Sequence, residues 1–568
     1  MNNESRTMNN EQRTTKHNGF ALPLVIVAVV ILVALAVGLT MVSYGARIQA
    51  VRAKCETASM LAAEAGYEQG IFWMSQQADI LSALQNGSAS GTIEFENSSC
   101  TYDVQFEDYI GARAVFRIIS TGTSGNSSRV VDVTVLQAIN GWAMGKCRVP
   151  TGTTSTVPVY FADGEIIDVP VHINNLKDSP DERDIYIDGS PRFEQKVEMG
   201  ESRKTSSNFD KYASAMPLFK DGIYFDQPDV RITDEAAVQS KVNRFRDSTN
   251  PLFRFVPNGT ANVSRPRNAV QLEFFVEAGV GKVRITNNCT VRGYPGTTYD
   301  YKIVPGSGGS TYQKYDIYTY HYAPRDQAPL IVPVENTYVT QKFGTKESEP
   351  GGQIFVDGDV IIGSADFTDI VVKGKMTVVS SGNIWIADSV VVDGDRNADG
   401  LPADTNPNVL GLIAQGVVKI ADPGLSNSGI VDPPVITSTG VPDVSSSARH
   451  VYRPVANSDG AVINNRFLPH TMIVEAAVTV GGGGWGTENV RSSSGRKVTG
   501  PGKQDFLILR GTLSESIRAV VGLINRNGYL KRYYLDKRLL EGILPGDIWF
   551  SGKYVPAPAG WHDYRPEN

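Results

Sequence analysis

Cysteine and histidine are scarce in this chain, which has four Cys and six His among 568 residues. The cysteines form no C-x-x-C pair, and no two histidines have the H-E-x-x-H spacing of a zinc site. The sequence also lacks a G-x-S-x-G elbow and a Walker phosphate loop. Because the common zinc, serine-hydrolase and nucleotide sites are missing, we predict a protein that is not an enzyme.

The chain has little charge imbalance and few long apolar runs. Its net charge is −6 and its basic residues are scattered, so we predict no nucleic-acid partner. Glycine (55) and proline (30) are abundant, which favours short strands and turns over helices. The fold class is therefore predicted as α+β, mostly β.

One uncharged apolar run stands out, from Phe20 to Val42, directly after the basic flank of Lys16. Its length is enough for one helix to cross a bilayer. A cleaved secretory signal would have a shorter apolar core and a small-residue cleavage site. The remaining alternatives are a permanent anchor with an ordinary juxtamembrane helix and a helix that assembles into a filament.

The pattern continues beyond the run as an amphipathic helix. Apolar and small residues recur at alternating steps of three and four, which is typical of a seam along one helix face. They are Ile48, Val51, Cys55, Ala58, Ala62, Ala65 and Phe72. We therefore predict a transmembrane and stalk helix that continues to about Leu84, where Asn86-Gly87-Ser88 ends it.

The segment from Gly19 to Ile26 resembles the processing site of type IV pilins and pseudopilins. This resemblance implies that a prepilin peptidase cuts between Gly19 and Phe20 and that the new N-terminal Phe20 is methylated. Pro23 fits the same start, because a helix that begins at Phe20 has no intrahelical partner for its first four N–H groups. The later segment Ala62-Ala63-Glu64-Ala65-Gly66 resembles that of PilX-type minor pilins.

The chain departs from the pilin pattern at Leu24. Most pilins have Glu at this fifth mature position, where it is thought to pair with the N-terminal amine of a neighbouring subunit. The departure argues against a major subunit and suits a subunit at the filament tip, such as the large K-type minor pseudopilin.

Residues 86–140 predict a small antiparallel sheet. Two alternating runs, Ala114 to Thr121 and Arg129 to Val135, flank a turn at residues 122–126 and predict a hairpin. A long helix followed by such a sheet is the pilin plan, which would be complete by residue 140. Cys100, Cys147 and Cys289 follow the helix and would lie in an exported body. We expect one disulfide among these three and predict that it joins Cys100 to Cys147.

The region 346–480 contains a regular pattern of short β-branched runs separated by glycine turns. Examples are residues 360–362, 370–372, 384–386 and 390–392. Such spacing is typical of a β-solenoid, in which short strands stack with their β-branched side chains inward. An irregular β-sandwich is the alternative.

The segment from Gly528 to Leu539 resembles the G-Y-x-K-x-Y-x-Y-D-x-R ending of large PilX-like surface proteins, in which it follows a solenoid-like domain. Leu535 stands where that pattern has its last Tyr. Residues 408–414 also resemble the L-G-L-I-A strand of that group.

Residues 395–400 contain the spacing of a calcium loop. Asp395, Asn397 and Asp399 occupy positions one, three and five, and Gly400 occupies position six. Position twelve lacks the usual Glu, so we predict that Asp404 completes the site. Calcium is the only cofactor that the sequence indicates, and a metal-free Asp/Asn/Gly turn is the alternative.

Together these features predict a structural minor pilin- or pseudopilin-like subunit of a type IV pilus or type II secretion-type filament. Its partners would be other pilin subunits, the prepilin peptidase and the bacterial inner membrane, with the body in the periplasm or at the cell surface. The alternative is a membrane-anchored surface protein with a β-helix body that binds or cleaves polysaccharide. The predicted divisions are a leader (1–19), the transmembrane and stalk helix (20–85), a small sheet (86–140), a β-rich region (141–345), a solenoid-like region (346–480), a Gly/Ser-rich loop (481–505) and a β-rich segment (506–568).

Overall fold

The computed structural model of the protein describes a long apolar helix followed by a large β-rich body. The residues described are 21–77, 80–85, 89–110, 113–137, 141–174, 185–200, 215–227, 229–230, 235–257, 267–293, 299–303, 312–316, 318–321, 330–334, 352–363, 369–421, 453–456, 462–465, 471–487, 506–523, 528–541, 544 and 554–566.

The described residues form three α-helices and a long series of strands. The helices are α1 (Ala21–Gln76), α2 (Ile80–Gln85) and α3 (Glu235–Ser248). The strands are, in chain order, β1 (Ser90–Glu94), β2 (Ser99–Ile110), β3 (Arg113–Ser124), β4 (Ser127–Gln137), β5 (Trp142–Lys146), β6 (Arg148–Pro150), β7 (Thr156–Pro158), β8 (Tyr160–Ala162), β9 (Ile166–Asp168), β10 (Val171–Ile173), β11 (Tyr186–Asp188), β12 (Arg192–Phe193), β13 (Val197–Met199), β14 (Ile223–Tyr224), β15 (Arg254–Phe255), β16 (Arg267–Glu277), β17 (Val280–Gly293), β18 (Tyr299–Ile303), β19 (Tyr312–Asp316), β20 (Tyr318–His321), β21 (Leu330–Pro333), β22 (Gly352–Val356), β23 (Val360–Ile362), β24 (Ile370–Val372), β25 (Lys375–Ser380), β26 (Ile384–Ile386), β27 (Val390–Val392), β28 (Val409–Ala414), β29 (Val418–Ile420), β30 (Arg453–Ala456), β31 (Val462–Asn465), β32 (Thr471–Val480), β33 (Trp485–Thr487), β34 (Phe506–Ile517), β35 (Leu530–Leu535) and β36 (Tyr554–Tyr564).

The helix α1 is close to the predicted one at its start and shorter at its end. Pro23 is its third residue, within the first turn, where the missing N–H removes no hydrogen bond. The helix ends at Gln76, and α2 then supplies a separate short helix up to Gln85. The predicted continuous stalk is therefore two helices.

The sheet after the helices has the strand order β1-β2-β3-β4-β36, and all of its pairings are antiparallel. The β3–β4 hairpin is confirmed, with Ile118 opposite Val133. The expectation that residue 140 completes this sheet is wrong, because Trp561 of β36 pairs with Val133 on the outer edge of β4. A strand far away in sequence thus covers an edge that would otherwise expose unpaired backbone groups.

Most of the body consists of parallel strands in two large sheets. Ile354 pairs with Val378 in one sheet, and Ile361 pairs with Trp385 in the other, at the same offset along the chain. The first sheet contains β22, β25, β28 and β32 in order, and the second contains β23, β26, β29 and β33. The glycine-separated runs between residues 352 and 420 therefore stack as parallel strands, as the sequence pattern predicts.

A single apolar core lies inside the stack of strands. Ile354, Val378 and Leu412 belong to it from successive strands of the first sheet, together with Ile362 and Ile386 from the second. The outer face of the first sheet is covered by α3, where Phe245 packs with Phe355 and Val379. Alternate residues of one strand thus serve the inner core and the helix-covered face.

The first sheet brings distant parts of the chain together. On one side of β5 it continues through β10 and β13 to β14, and on the other through β34, β32, β28, β25 and β22 to β15. Trp142 of β5 pairs with Leu513 of β34 in parallel register. The earlier and later parts of the body therefore meet at the β5–β34 pair and at the neighbouring β9–β35 pair. These two strand pairs of the body are called the seam from here on.

One expectation for the later residues needs correction. The stretch from Phe506 to Ile517, in the predicted β-rich segment, is one strand with parallel neighbours. Residues 481–487 are buried rather than a loose loop, and β33 is part of them. Gly484 has φ +78°, and a Cβ there would lie 2.1 Å from the Ile517 carbonyl oxygen, which explains why glycine occupies the position.

Candidate assembly interface

The first half of α1 exposes its apolar side chains on every side. In the most apolar window of α1 no residue is buried, and the helix is long and apolar enough to cross a membrane. Leu24 is 72% exposed, and Leu32 is 65% exposed. An apolar surface of this extent is unstable in water and requires either lipid or other apolar helices around it.

The second half of α1 packs on the antiparallel sheet through small residues. Ser59, Ala62, Ala63, Gly66 and Gly70 are buried there. This face matches the predicted helix seam in part, because Ala62 of that seam is buried whereas Val51 and Phe72 are exposed. Small side chains allow the backbones to approach closely, and Tyr67 and Met74 fill the apolar core beside them.

Glycines on both sides of the contact explain the A-A-E-A-G segment. A Cβ on Gly66 would lie 2.2 Å from the Ser120 Oγ atom, and one on Gly70 would lie 2.9 Å from Ile118 Cγ2. On the sheet side, a Cβ on Gly122 would lie 2.0 Å from the Ser59 carbonyl oxygen. These distances are too short for real atoms, so the helix and the sheet approach as closely as glycine permits.

The strand β36 also contacts the helix. The ring of Trp561 meets that of Tyr67 edge to face, with 4.9 Å between the ring centroids. Arg565 forms an ion pair with Glu56 of α1 at 2.6 Å, and both side chains are largely exposed. The helix, the sheet and the strand β36 are thus one packed unit, in which the aromatic contact contributes most, since exposed ion pairs contribute little.

A buried polar network lies at the seam of the body. The Trp142 indole N–H donates to Glu515 at 3.0 Å, and the backbone N–H of Trp485 donates to the other oxygen at 2.8 Å. The Trp485 indole N–H donates to the Tyr533 hydroxyl at 2.8 Å. Burial raises the pKa of Glu515 to about 7.

The G-Y-x-K-x-Y-x-Y-D-x-R-like segment supplies the other side of this network. Tyr529, Lys531 and Tyr533 are buried at alternate positions, and Lys531 pairs with Glu165. Farther on, Arg538 binds Asp536, and its Nη1 atom donates to the Asn408 carbonyl at 2.8 Å. The residues that carry the resemblance are therefore interior contacts that attach the segment to earlier strands.

The predicted calcium loop is held by its own hydrogen bonds. The Asn397 Oδ1 atom accepts from the N–H groups of Asp399 and Leu401, each at 3.0 Å. No group of three or more Asp, Glu, His or Cys side chains placed to hold a metal occurs in the described residues, so Asp395, Asp399 and Asp404 do not converge. These are the hydrogen bonds of an Asn-centred turn, and calcium binding at these residues stays a prediction.

The residue between the predicted ligands has a structural role that sequence reasoning missed. Arg396 donates to buried Glu475, with one contact at 2.9 Å, and Arg510 donates to the same carboxylate at 2.8 Å. Burial opposes the charge of Glu475, but these two guanidinium groups hold its pKa below the usual value. These ion pairs attach the loop to β32. The sequence feature that could have indicated this role is the arginine placed between acidic residues.

The predicted disulfide between Cys100 and Cys147 is absent from the structure, where both thiols are free. Cys100 lies on β2 beneath α1, close to Gly66. Cys147 lies in the body, where its thiol donates to the Val159 carbonyl and accepts from Arg518 at 3.0 Å. The two residues belong to different packed units, and burial raises the pKa of each thiol. The predicted processing residues Gly19 and Phe20 lie outside the described residues.

No protein-family model and no curated protein sequence matches the chain. The solved structure of the competence-associated pilin ComZ from Thermus thermophilus aligns with 90% of this chain and 98% of its own length. The identity is 10% and the TM-score is 0.25, values at which the likeness carries no argument.

Proposed function

We propose that the protein is a structural, non-enzymatic subunit of the minor pilin or pseudopilin kind, which carries a large exported β body. The observation that supports this most directly is the division of α1. Its first half is apolar and unburied, and its second half is packed on an antiparallel sheet. Such a helix has one half for the membrane or for neighbouring helices and another half that fixes the globular part.

The same division allows one helix to serve both states of a filament subunit, the membrane-inserted state and the assembled state. In the bilayer the exposed half of α1 is surrounded by lipid, and in a filament it is surrounded by the helices of other subunits. Both environments are apolar, so transfer between them needs no refolding of the helix. Leu24 is apolar as well and offers no charge to a neighbour's amine, which supports a position at the tip.

The body is proposed to be a β-solenoid. Support comes from the repeated offset of parallel pairs, from glycine turns between short strands and from the shared apolar core. The carboxylates buried in it at Glu165, Glu475 and Glu515 are each held by a cation or by N–H donors. Because all three are buried and already bonded, none of them is placed to act on a polysaccharide, which favours a display body over the polysaccharide-active alternative.

Processing at Gly19 tests the proposal. In cells that contain a prepilin peptidase, we expect mass spectrometry of the wild-type protein to show a methylated N-terminal Phe20. The variant Gly19→Ala is expected to keep its leader, while the control Gly45→Ala is expected to be cut normally. An intact leader on the wild-type protein would contradict the assignment.

The tip position has a separate test. With an epitope in the body, immunogold particles are expected at filament ends only. Labelling along the whole filament at the density of a major subunit would refute the tip role, even if processing at Gly19 is normal.

A further inference from the structure

Two oppositely charged side chains face each other inside the seam. The strands β9 and β35 are parallel neighbours in which Ile166 pairs with Arg532, so Glu165 and Lys531 stand at adjacent positions just before them. Only 2% of the Glu165 side chain and 4% of the Lys531 side chain are exposed. Water is therefore excluded from the pair.

The contacts of Glu165 orient its carboxyl group toward the amine. The Lys531 Nζ atom donates to Glu165 Oε1, and the backbone N–H of Ala162 donates to Oε2 at 3.1 Å. The backbone N–H of Lys531 also points at Oε1, at 3.4 Å. One oxygen thus faces the amine while the other is held by a backbone donor.

The surroundings of Lys531 disfavour its charged form. The Arg518 guanidinium and the Lys531 Nζ atom lie over the same Phe161 ring, 3.8 and 6.0 Å from its centre, so a second positive charge is close to the amine. Burial lowers the pKa of Lys531, the nearby Arg518 charge lowers it further, and Glu165 opposes both. A dry interior thus favours the neutral amine of Lys531 over its charged form.

We propose that Lys531 and Glu165 form a self-modification site at which an intramolecular isopeptide bond joins the two side chains. The neutral Nζ attacks the Glu165 Cδ atom, and an N–C bond forms. The C–Oε1 bond then breaks, and Oε1 leaves as water with two protons that both come from the Lys531 ammonium group. The ion pair –NH₃⁺ and –COO⁻ becomes –NH–CO– plus one H₂O, so the step needs no oxidant, metal or other reactant.

The geometry supplies what such a reaction requires. Packing of adjacent strands holds the nucleophile on the carboxyl group, which replaces a collision in solution by a fixed contact. The Ala162 N–H lies where negative charge develops on Oε2 during attack, as in an oxyanion hole. The charge-neutral lysine is the form that can act as a nucleophile.

The bond would have a mechanical consequence. It would link β9, in the earlier part of the body, to β35, in the later part, at the seam where these two parts meet. Hydrogen bonds between parallel strands separate under load, whereas an amide between them does not. This inference stands independently of the filament assignment.

Denaturing mass spectrometry of the full chain tests the proposal. We expect the wild-type protein to weigh one water molecule less than the matched value for its processed sequence. After trypsin digestion, residues 149–177 and residues 527–532 are expected as one branched peptide, because trypsin does not cleave after a modified Lys531. Two separate peptides with cleavage after Lys531 would overturn the proposal.

Two variants sharpen the result. Lys531→Arg keeps the positive charge but is expected to show the full mass of its sequence, since a guanidinium is not a nucleophile here. Glu165→Gln places an amide at the same carbon, so reaction with Lys531 is expected to release ammonia in place of water. A wild-type protein and a Lys531→Arg variant with the same mass deficit would refute the assignment, and the peptide map gives this answer even if a variant folds poorly.

Discussion

The closest contact between α1 and the sheet makes Gly122→Ala the most informative substitution. The added Cβ would lie 2.0 Å from the Ser59 carbonyl oxygen and 2.4 Å from the Ala63 nitrogen. Both atoms are backbone atoms within a helix, so neither can rotate away as a side chain can. The φ of Gly122 lies outside the left-handed region, and the effect would therefore come from contact alone.

The size of the effect follows from these contacts. Overpacking of a close contact typically costs about 1–3 kcal/mol, and a clash with backbone belongs toward the upper end of that range. Replacing Gly by Ala within a strand returns roughly 0.5–1 kcal/mol. We expect the docking of α1 on the sheet to lose about 2 kcal/mol, which corresponds to roughly 30-fold faster local opening.

Hydrogen exchange measures this opening directly in the detergent-solubilised full chain. Exchange of the backbone amides in residues 59–70 is expected to accelerate in Gly122→Ala. The matched control is Gly45→Ala, because a Cβ there has no atom within 4 Å and adds helix propensity of about 1 kcal/mol. If both variants exchange at the wild-type rate over residues 59–70, the close approach of helix and sheet is wrong.

Three further predictions concern β36, the stacked strands and the seam. Trp561→Ala removes the contact with Tyr67, and since Trp561 is partly exposed we expect the packing of β36 to lose about 1–3 kcal/mol of stability. Hydrogen exchange of the β36 amides should become faster, and unchanged exchange would refute this. Val372→Asp buries an unpaired charge and is expected to cost several kcal/mol of stability in thermal or denaturant unfolding. The control Val371→Asp, at the half-buried neighbouring position, is expected to be tolerated. Equal melting temperatures of the two variants would refute the inward orientation of Val372. Burial raises the pKa of Glu515 from 4.5 to about 7, so the folded state keeps a proton that the unfolded state releases. The free energy of unfolding is therefore expected to fall by up to about 3 kcal/mol between pH 4.5 and pH 7. A wild-type profile of unfolding free energy against pH that is as flat as that of Glu515→Gln would contradict this.

Local patterns in the sequence predicted the elements whose stability is local. The apolar run gives α1, the alternation around residues 122–126 gives the β3–β4 hairpin, and the glycine-separated runs give the parallel strands. In each case the period of the side chains and the turn residues specify the element without knowledge of distant contacts. The stacking of short strands in this region could thus be expected from the chain itself, whereas the register that pairs Ile354 with Val378 comes from the structure.

Contacts between distant segments could not be predicted in this way. Nothing in the residues around Trp561 indicates that they pair with Val133, because an edge strand carries no mark of its partner. The buried face of α1 was predicted only in part for a related reason. Hydrophobicity pointed to Val51 and Phe72, but the sheet selected the face on which glycine and alanine allow contact.

The calcium loop illustrates the limit for side-chain chemistry. The spacing of Asp395, Asn397 and Asp399 is the same whether their oxygens bind a cation or backbone N–H groups. In the structure Asn397 accepts backbone N–H groups, while Arg396 reaches Glu475 on a strand far along the chain, a contact that the spacing does not indicate. The segment around Lys531 is a second example. Its motif could be detected in the sequence, but the contact between Lys531 and Glu165 could not.

The position of β36 links the two parts of the protein in a way that bears on assembly. The sheet beneath α1 is completed only when β36 pairs with β4, and β36 follows the strands that form the seam. A chain whose body has not folded therefore has an incomplete sheet beneath α1. Since an uncovered edge of β4 would expose unpaired backbone groups, such a chain is less stable at the surface that fixes α1. In the proposed subunit, α1 is therefore packed firmly on its sheet only after the display body has folded and β36 has paired with β4.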